Sequence, residues 1–512
     1  MVCPFRFYDI CIKKELASCC VFGKKSVISE SYIIALFPFF ILVVVIFLVL
    51  LYEHHFQRNE VIIISNSTRE NSWKYRRILL KVLFLSLVGI FLATAVHARP
   101  RSSVKNTVVR EENPRGYKST LILPYAFSTD SMGVTVGVGG ALKGYGQEQL
   151  LLGATAFGSF EDAAGLFLGM WDYRPSWAQR FFFSAQGMVG HYPKQRAYSS
   201  PFFSKNVPPP GSNDSSEDQF IEKSGYDNWS DFKLEYVLPL GTAHKDGLVH
   251  YRLKGGMLQS APVGGTVWNP MKSGVTTLLL RQFNRYRSFE TDRGDLDATT
   301  HPVEFAISYN NTDFPSNPSF GSSQYLSVTH DFGWLESPDS WTFVEFEASK
   351  YFSMGKSAWA KQRVIALNFW TGDSPTWEEN INENGVITVS HRPPFYEGAT
   401  LGGFYRMRGY PIDRFNDRSV IYTAAEYRYT LNWNPIGEVS WLRFLQSDWL
   451  QLVGFVEGGR VANKYSLSEV FSDWKVDCGF GLRAMFAGSV VRLDVGFSDE
   501  TTSVWAMFAQ PF

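Results

Sequence analysis

The sequence predicts an all-β protein, a transmembrane β-barrel of 16 antiparallel strands. Three observations carry this prediction. Polar and apolar residues alternate through most of the chain from about residue 119 to residue 512. Aromatic residues make up 16% of the chain and charged residues 19%, while the mean hydropathy of −0.11 argues against a bundle of membrane-spanning helices. An apolar segment with the features of a secretory signal precedes the alternating region.

Charge and cysteine content exclude some functions and bonds. The chain has 49 basic and 49 acidic residues, so its zero net charge gives no reason to propose nucleic acid as a partner. Four of the five cysteines lie within the first 20 residues. If the N-terminal region is removed, Cys478 is the remaining cysteine and no internal disulfide can form.

Two apolar segments occupy the N-terminal region. Residues 78–98 follow the basic run KYRR and end in Val96-His97-Ala98, which predicts a signal peptide over 74–98 with cleavage after Ala98. The earlier run 32–52 carries no charge and is long enough to span a bilayer. Residues 1–73 are therefore interpreted either as an over-extended gene start or as a region with an inner-membrane anchor. Residues 99–118 are expected to be a flexible periplasmic lead-in.

The alternating region indicates strands with two different environments. In VRLDVGF, residues 491–497, the apolar side chains share one face, and arginine, aspartate and glycine share the other. Residues 475–486 show the same pattern. The number of such segments favours lipid on the apolar side and a polar lumen on the other side. A lipid-spanning sheet must also close, since its backbone groups need partners. The alternative is a soluble secreted β-protein.

Residues 119–512 contain 17 segments with the length and alternation of strands. Because bacterial single-chain barrels have even strand numbers, we expect 16 and treat one segment as a false strand or a lead-in. The connection 194–227 is polar and predicts an extracellular loop, and 373–418 is the second long connection. The candidate strands are 119–128, 133–144, 147–160, 163–174, 179–192, 228–240, 247–260, 275–289, 301–311, 323–335, 340–353, 363–372, 419–431, 449–462, 474–487, 489–499 and 502–512.

The last candidate strand ends in an aromatic residue. Val504, Phe508 and Phe512 fall on one face of 502–512 if the strand runs to its last residue. This pattern is consistent with an outer-membrane barrel, although alone it is a weak signal.

Several motifs resemble the Omp85 superfamily, which includes the BamA/TamA and D15 surface-antigen barrels. The run ATLGGFYRMRGYPIDRF in the second long connection is similar to the family's L6 loop. AAEYRYTL, GFVEGGRV, CGFGLRAMFAG, VVRLDVGFS and AQPF follow in the family's order. Upstream, NNTDFPSNPSFGS and PYAFSTDSMGVTVGVGG resemble earlier hairpins. The resemblance covers most of 119–512 and implies a barrel with an inward-folded L6.

The resemblance also assigns residues to a structural site. In the family the loop arginine, here Arg408, pairs with acidic residues of the next two strands, which correspond to Glu426 and Glu457. Position 457 departs from the family's aspartate by one methylene. Gly409 and Tyr410 complete the loop motif.

Alternation gives further information about the wall. It places Phe455 on the lumen face beside Glu457, and it places Glu426 on the lumen face of its own strand. An arginine suits this site because its planar group donates to two acceptors and stays charged. Lys475, Arg483 and Arg492 are expected merely to line a wet lumen.

The resemblance implies that this chain acts in the insertion of proteins into the bacterial outer membrane or in their translocation across it. The alternative is a passive outer-membrane pore or a structural surface antigen. The interval 99–118 is too short for a POTRA domain, so the chain resembles a barrel-only branch. No catalytic histidine spacing, cofactor motif or metal-ligand spacing is evident, so an enzyme is not expected. The expected partners are outer-membrane lipid and client outer-membrane or secreted proteins, with the barrel itself a monomer.

Overall fold

The computed structural model describes residues 104–111, 116–129, 131–200, 203–204, 207–265, 267–290, 297–440, 445–486 and 488–512. The apolar segments 32–52 and 78–98, with the predicted signal peptide and region 1–73, lie outside the described residues. In the described part of the chain, no helix is long and apolar enough to cross a membrane.

The structure is dominated by β-strands. Two short helices, α1 (Pro435–Glu438) and α2 (Leu467–Val470), lie in connections. The strands are β1 (Asn106–Arg110), β2 (Ser119–Thr129), β3 (Gly133–Lys143), β4 (Leu151–Ser159), β5 (Ala164–Tyr173), β6 (Phe181–Ala197), β7 (Phe203–Ser204), β8 (Ile221–Val237), β9 (Val249–Lys254), β10 (Met257–Leu258), β11 (Val275–Arg287), β12 (Ala298–Thr300), β13 (Val303–Thr312), β14 (Gly321–Phe332), β15 (Ser340–Ser353), β16 (Ala360–Asp373), β17 (Glu378–Ile381), β18 (Val386–Ser390), β19 (Ala399–Leu401), β20 (Phe415–Asp417), β21 (Ser419–Leu431), β22 (Ser447–Ala462), β23 (Lys475–Phe486), β24 (Ser489–Phe497) and β25 (Thr502–Phe508).

Sixteen long strands form one antiparallel sheet that curls into a barrel, as the sequence predicted. They are β2–β6, β8, β11, β13–β16 and β21–β25, and each pairs with the next in this order. The first strand β2 makes its ladder with β3, and the last strand β25 makes its ladder with β24. We call the place between the first strand β2 and the last strand β25 the seam.

The two faces of the sheet have the environments that the alternation predicted. Val134, Val136 and Val138 on β3 are each about half exposed on the outer face. By contrast, Arg483 and Arg492 face the lumen and are fully buried. The sheet therefore presents apolar side chains outward and packs charged side chains inside, which is the reverse of a soluble protein.

The candidate segment 247–260 is not a barrel strand. It forms β9 and β10, which pair with each other, and β1 adds to β9 in parallel. We call β1, β9 and β10 the inner sheet. Alternation predicted a strand here correctly, but a period of two does not say which sheet the strand joins. The same pairing makes Asn106–Arg110 a strand within the lead-in that was expected to be flexible.

The chain after β25 turns into the barrel. The strand ends at Phe508, and Ala509 has a left-handed backbone with φ of 64°. Phe512 is then buried in the lumen, and its ring centroid lies 5.2 Å from the Arg428 guanidinium carbon. The expectation that Phe512 shares a strand face with Val504 and Phe508 was wrong, because the strand ends at Phe508 and the chain then turns.

The two long connections lie at the same end of the barrel, which we call the loop end. The connection predicted at 194–227 is shorter in the structure, because β6 extends to Ala197 and β8 begins at Ile221. In the second connection, β17 and β18 form a hairpin that β7 extends, and β19 and β20 form another hairpin. Residues 402–414 between β19 and β20 form the inner loop.

Candidate functional site: the inner loop and its charged wall

The inner loop is a compact turn held by its own backbone. The amide of Gly402 donates to the Arg406 carbonyl, and the amide of Gly403 donates to the Tyr410 carbonyl. Met407 adopts a left-handed conformation with φ of 57°, and the Tyr410 amide donates to its carbonyl. These bonds fix the loop tip. The side chain of Arg408, the residue after Met407, therefore projects in a defined direction.

Arg408 is fully buried and contacts three carboxylates. Its guanidinium nitrogens lie 2.9 Å from Glu426, 3.2 Å from Glu457 and 2.7 Å from Asp494. Its backbone amide donates to the second Glu457 oxygen at 2.6 Å. These partners lie on β21, β22 and β24, so one side chain ties the loop to three wall strands.

An aromatic ring completes the arginine's surroundings. The guanidinium carbon of Arg408 lies 3.6 Å from the centroid of the Phe455 ring, close enough for a cation–π contact. Phe455 lies two residues before Glu457 on β22, so the two side chains share the lumen face. The structure therefore brings together Arg408, Glu426, Phe455 and Glu457, the residues that the sequence singled out for this contact.

Glycines allow the loop backbone to lie directly on the wall. A Cβ at Gly409 would come within 2.7 Å of the Asp477 Cβ, and a Cβ at Gly496 within 2.4 Å of the Arg408 carbonyl oxygen. The Gly409 amide donates to Asp477 at 2.8 Å. A larger residue on either side would separate the two backbones, so glycine is required here by close approach.

Tyr410 anchors the inner loop to the turn between β24 and β25. Its hydroxyl donates to Asp499 at 2.6 Å, in the turn between β24 and β25, and its ring packs against Phe415. Burial raises the pKa of the Tyr410 phenol, and the hydrogen bond to Asp499 raises it further. The phenol therefore stays protonated and remains a donor at neutral pH.

The wall around Arg408 is a network of balanced charge. Arg428 and Arg483 both pair with Glu426, at 2.8 Å and 2.7 Å, and Arg492 pairs with Asp494 at 2.5 Å. The expectation that Arg483 and Arg492 merely line a wet lumen was wrong, because both are fully buried in ion pairs. Lys475 makes no such pair in the described network and lies 5.7 Å from the Phe415 ring centroid.

Asp494 is the partner that sequence reasoning did not assign to the arginine. The alternation of 491–497 had placed it on the lumen face, but alternation gives no depth along the barrel. The register between β23 and β24 could have identified Asp494 as a partner of Arg408. In this register Asp494 lies opposite Gly481 and two residues from Arg492.

Other arginines of the inner loop reach different parts of the wall. Arg406 pairs with Glu347 at 2.8 Å, and its guanidinium carbon lies 3.6 Å from the Trp370 ring centroid. Arg414 pairs with Glu500 at 2.6 Å. The loop is thus held at its tip and on both sides. Among the described residues, no group of three metal-ligating side chains could hold a metal ion.

A charged loop tip clamped on the lumen wall of a 16-stranded antiparallel sheet defines a β-barrel of the outer-membrane type. Residues 269–505 match the model of the Omp85 superfamily domain. These residues, a little under half of the chain, are an Omp85 superfamily domain. At the level of the family, this indicates a bacterial outer-membrane protein of the insertion or secretion type.

Solved structures also show similarity. BamA from Haemophilus ducreyi lacking POTRA domains 1–3 has 11% identity and a TM-score of 0.40, with 84% of this chain and 76% of that chain covered. CdiB from Acinetobacter baumannii has 10% identity and a TM-score of 0.39, with 76% and 58% covered. The chain thus spans less than two thirds of the CdiB chain. No curated protein matches the chain. The family assignment rests on the sequence match.

Proposed function

We propose that this barrel acts in the insertion of proteins into the bacterial outer membrane or in their translocation across it. The observation that carries the proposal is the contact between the inner loop and the seam. The indole nitrogen of Trp505, on the last strand β25, donates to the Arg408 carbonyl at 2.7 Å. The loop tip that is clamped to β21, β22 and β24 therefore also positions the strand that borders the seam.

The seam supplies the mechanism of this proposal. An edge strand presents backbone donors and acceptors on which another strand can pair. Strand addition of this kind gives affinity through main-chain hydrogen bonds. A client strand would pair with β2 or β25 while Trp505 and Arg408 hold β25 in place. The chain would act as a monomer in outer-membrane lipid, without cofactor, metal or catalytic residue.

The test is the outer-membrane protein inventory of a strain that lacks this chain. The strain is complemented with the wild type, with Trp505→Phe or with Trp359→Phe. Phenylalanine keeps a ring but removes the indole donor, and Trp359 is a matched control because it is 79% exposed in a turn. We expect selective loss of certain outer-membrane or secreted proteins in the deletion strain, partial loss with Trp505→Phe, and restoration with Trp359→Phe. An unchanged inventory in the deletion strain would contradict the proposal.

A second candidate function is a passive pore or a structural surface protein. A cavity of about 180 Å³ beside the inner loop favours the pore, because charged lumen residues such as Asp231, Arg281 and Glu304 line it. A passive pore should conduct ions steadily in planar bilayers, and its loss should leave the protein inventory unchanged. These two measurements distinguish the candidates.

A further inference from the structure

We propose that the inner sheet is a latched bar that closes one end of the barrel lumen and that its release opens an ion path along the lumen. The bar concerns passage along the barrel axis, whereas the proposed function concerns the seam. The two ideas can therefore fail independently.

The inner sheet lies at the end of the barrel opposite the loop end. β9 and β10 belong to the connection between β8 and β11, at the end where β2 begins and β25 ends. Strands alternate in direction, so this end also holds the β23–β24 turn. We call it the terminal end.

The inner sheet contacts opposite walls of the lumen. Its buried residues Val108, Tyr251 and Leu253 belong to one apolar cluster with residues of the wall. On one side these are Phe182 on β6 and Val237 on β8. On the other side they are Trp449, Met485 and Val490 on β22, β23 and β24.

The order of strands shows that these walls face each other. Between β8 and β22 lie β11, β13–β16 and β21. In the other direction, between β24 and β6, lie β25 and β2–β5. Five or six strands therefore separate the two contact regions on either route, so the inner sheet spans the opening.

Ion pairs hold both ends of β1. At its start, Lys105 is buried and lies 2.5 Å from Glu235 on β8 and 2.7 Å from Asp172 on β5. At its end, Arg110 lies 2.5 Å from Asp448 on β22 and donates to the Gln446 side chain at 2.6 Å. A five-residue strand covers about 16 Å. β1 is thus a short bar with a charged latch on each wall.

Ion pairs are suited to hold an inner sheet that can be released. Buried ions lose hydration when they pair, and they regain it when they separate into water, so such a pair adds little net stability. Glu235 lies on β8, and Asp231 lies four residues before it on the same strand, nearer the loop end. Asp231 faces the lumen and lines the cavity beside the inner loop. Displacing the bar would connect this polar space with the terminal end.

The test is ion conductance of the purified full chain in planar bilayers. Lys105→Met keeps the length of the side chain and removes the charge at one latch, and Asp448→Asn weakens the other. Lys254→Met is the matched control, because Lys254 on β9 pairs with Glu111, the residue after β1, and both side chains are more than half exposed. Heat-modifiable migration on gels checks that each variant is folded.

We expect the wild type and Lys254→Met to be closed most of the time. Lys105→Met and Asp448→Asn should each increase the open time several-fold. The two variants act on separate walls, so one folded variant is sufficient for the test. Latch variants that are folded and conduct like the wild type would overturn the proposal, and so would a wild type that is steadily open.

Discussion

Arg408 forms ion pairs with carboxylates from three wall strands, β21, β22 and β24. Its pairs with Glu426, Glu457 and Asp494 are all buried. Removal of the arginine leaves Glu457 without its arginine partner, and it leaves Glu426 and Asp494 with fewer cationic partners, Arg428, Arg483 and Arg492. The energetic penalty comes mainly from these uncompensated charges rather than from the lost attraction.

Arg408→Ala is therefore expected to lower the free energy of unfolding by about 3–5 kcal/mol, the usual range for breaking a buried ion pair from one side. Arg408→Lys should recover part of this loss, because it keeps the charge but not the planar fork. Urea unfolding in detergent measures both. Arg418→Ala is the control, since the partly exposed Arg418–Asp373 pair should contribute about 0–1 kcal/mol. Equal stability of Arg408→Ala and wild type would refute the clamp.

The close approach of the loop to β24 gives a second prediction at this scale. Gly496→Ala places a methyl group 2.4 Å from the Arg408 carbonyl oxygen, so the loop must move away from the wall. We expect faster protease cleavage within residues 402–414 and lower stability. Gly454→Ala is the matched control on β22, where a Cβ meets no described atom within 4 Å. Similar cleavage of the two variants would show that the contact does not hold the loop.

At the scale of elements, three short segments lie inside the barrel that the long strands form. The inner loop enters from the loop end, the inner sheet crosses the terminal end, and the segment after β25 turns inward. Each is held by lumen-facing residues of the long strands, so the barrel wall and its contents form one packed structure.

The segment after β25 can be tested through Phe512. Its ring is buried beside Arg428, and its carbonyl accepts from that arginine at 3.2 Å. Phe512→Ala should lower the free energy of unfolding by about 3 kcal/mol, as is usual for loss of a buried phenylalanine. Leu467→Ala, at a residue that is 75% exposed, should change it by less than about 0.5 kcal/mol. An effect of Phe512→Ala as small as that of the control would mean that the segment does not pack stably in the lumen.

For the whole molecule, the outward apolar face requires lipid. Leu326 on β14 is 47% exposed and lies between Ile307 and Phe346 on the neighbouring strands, so it belongs to the middle of this face. Leu326→Arg should lower folding stability in lipid vesicles by about 2–4 kcal/mol if the residue lies near the bilayer midplane. Leu326→Ala separates loss of the apolar side chain from insertion of charge. If Leu326→Arg leaves the folding stability unchanged, this face of the barrel contacts water and not lipid.

Sequence alternation located most of the barrel strands and determined their two faces, because successive side chains of any strand point to opposite sides. It gave 17 segments, and the even strand number of bacterial barrels reduced them to 16. It also placed Glu426, Phe455 and Glu457 on the lumen face, and the family resemblance supplied Arg408 as their partner. Tertiary structure alone decided that 247–260 joins β1, that Asp494 reaches Arg408, and that Phe512 turns inward. These outcomes depend on register and on contacts between residues far apart in the chain, and a local period of two contains no information about either.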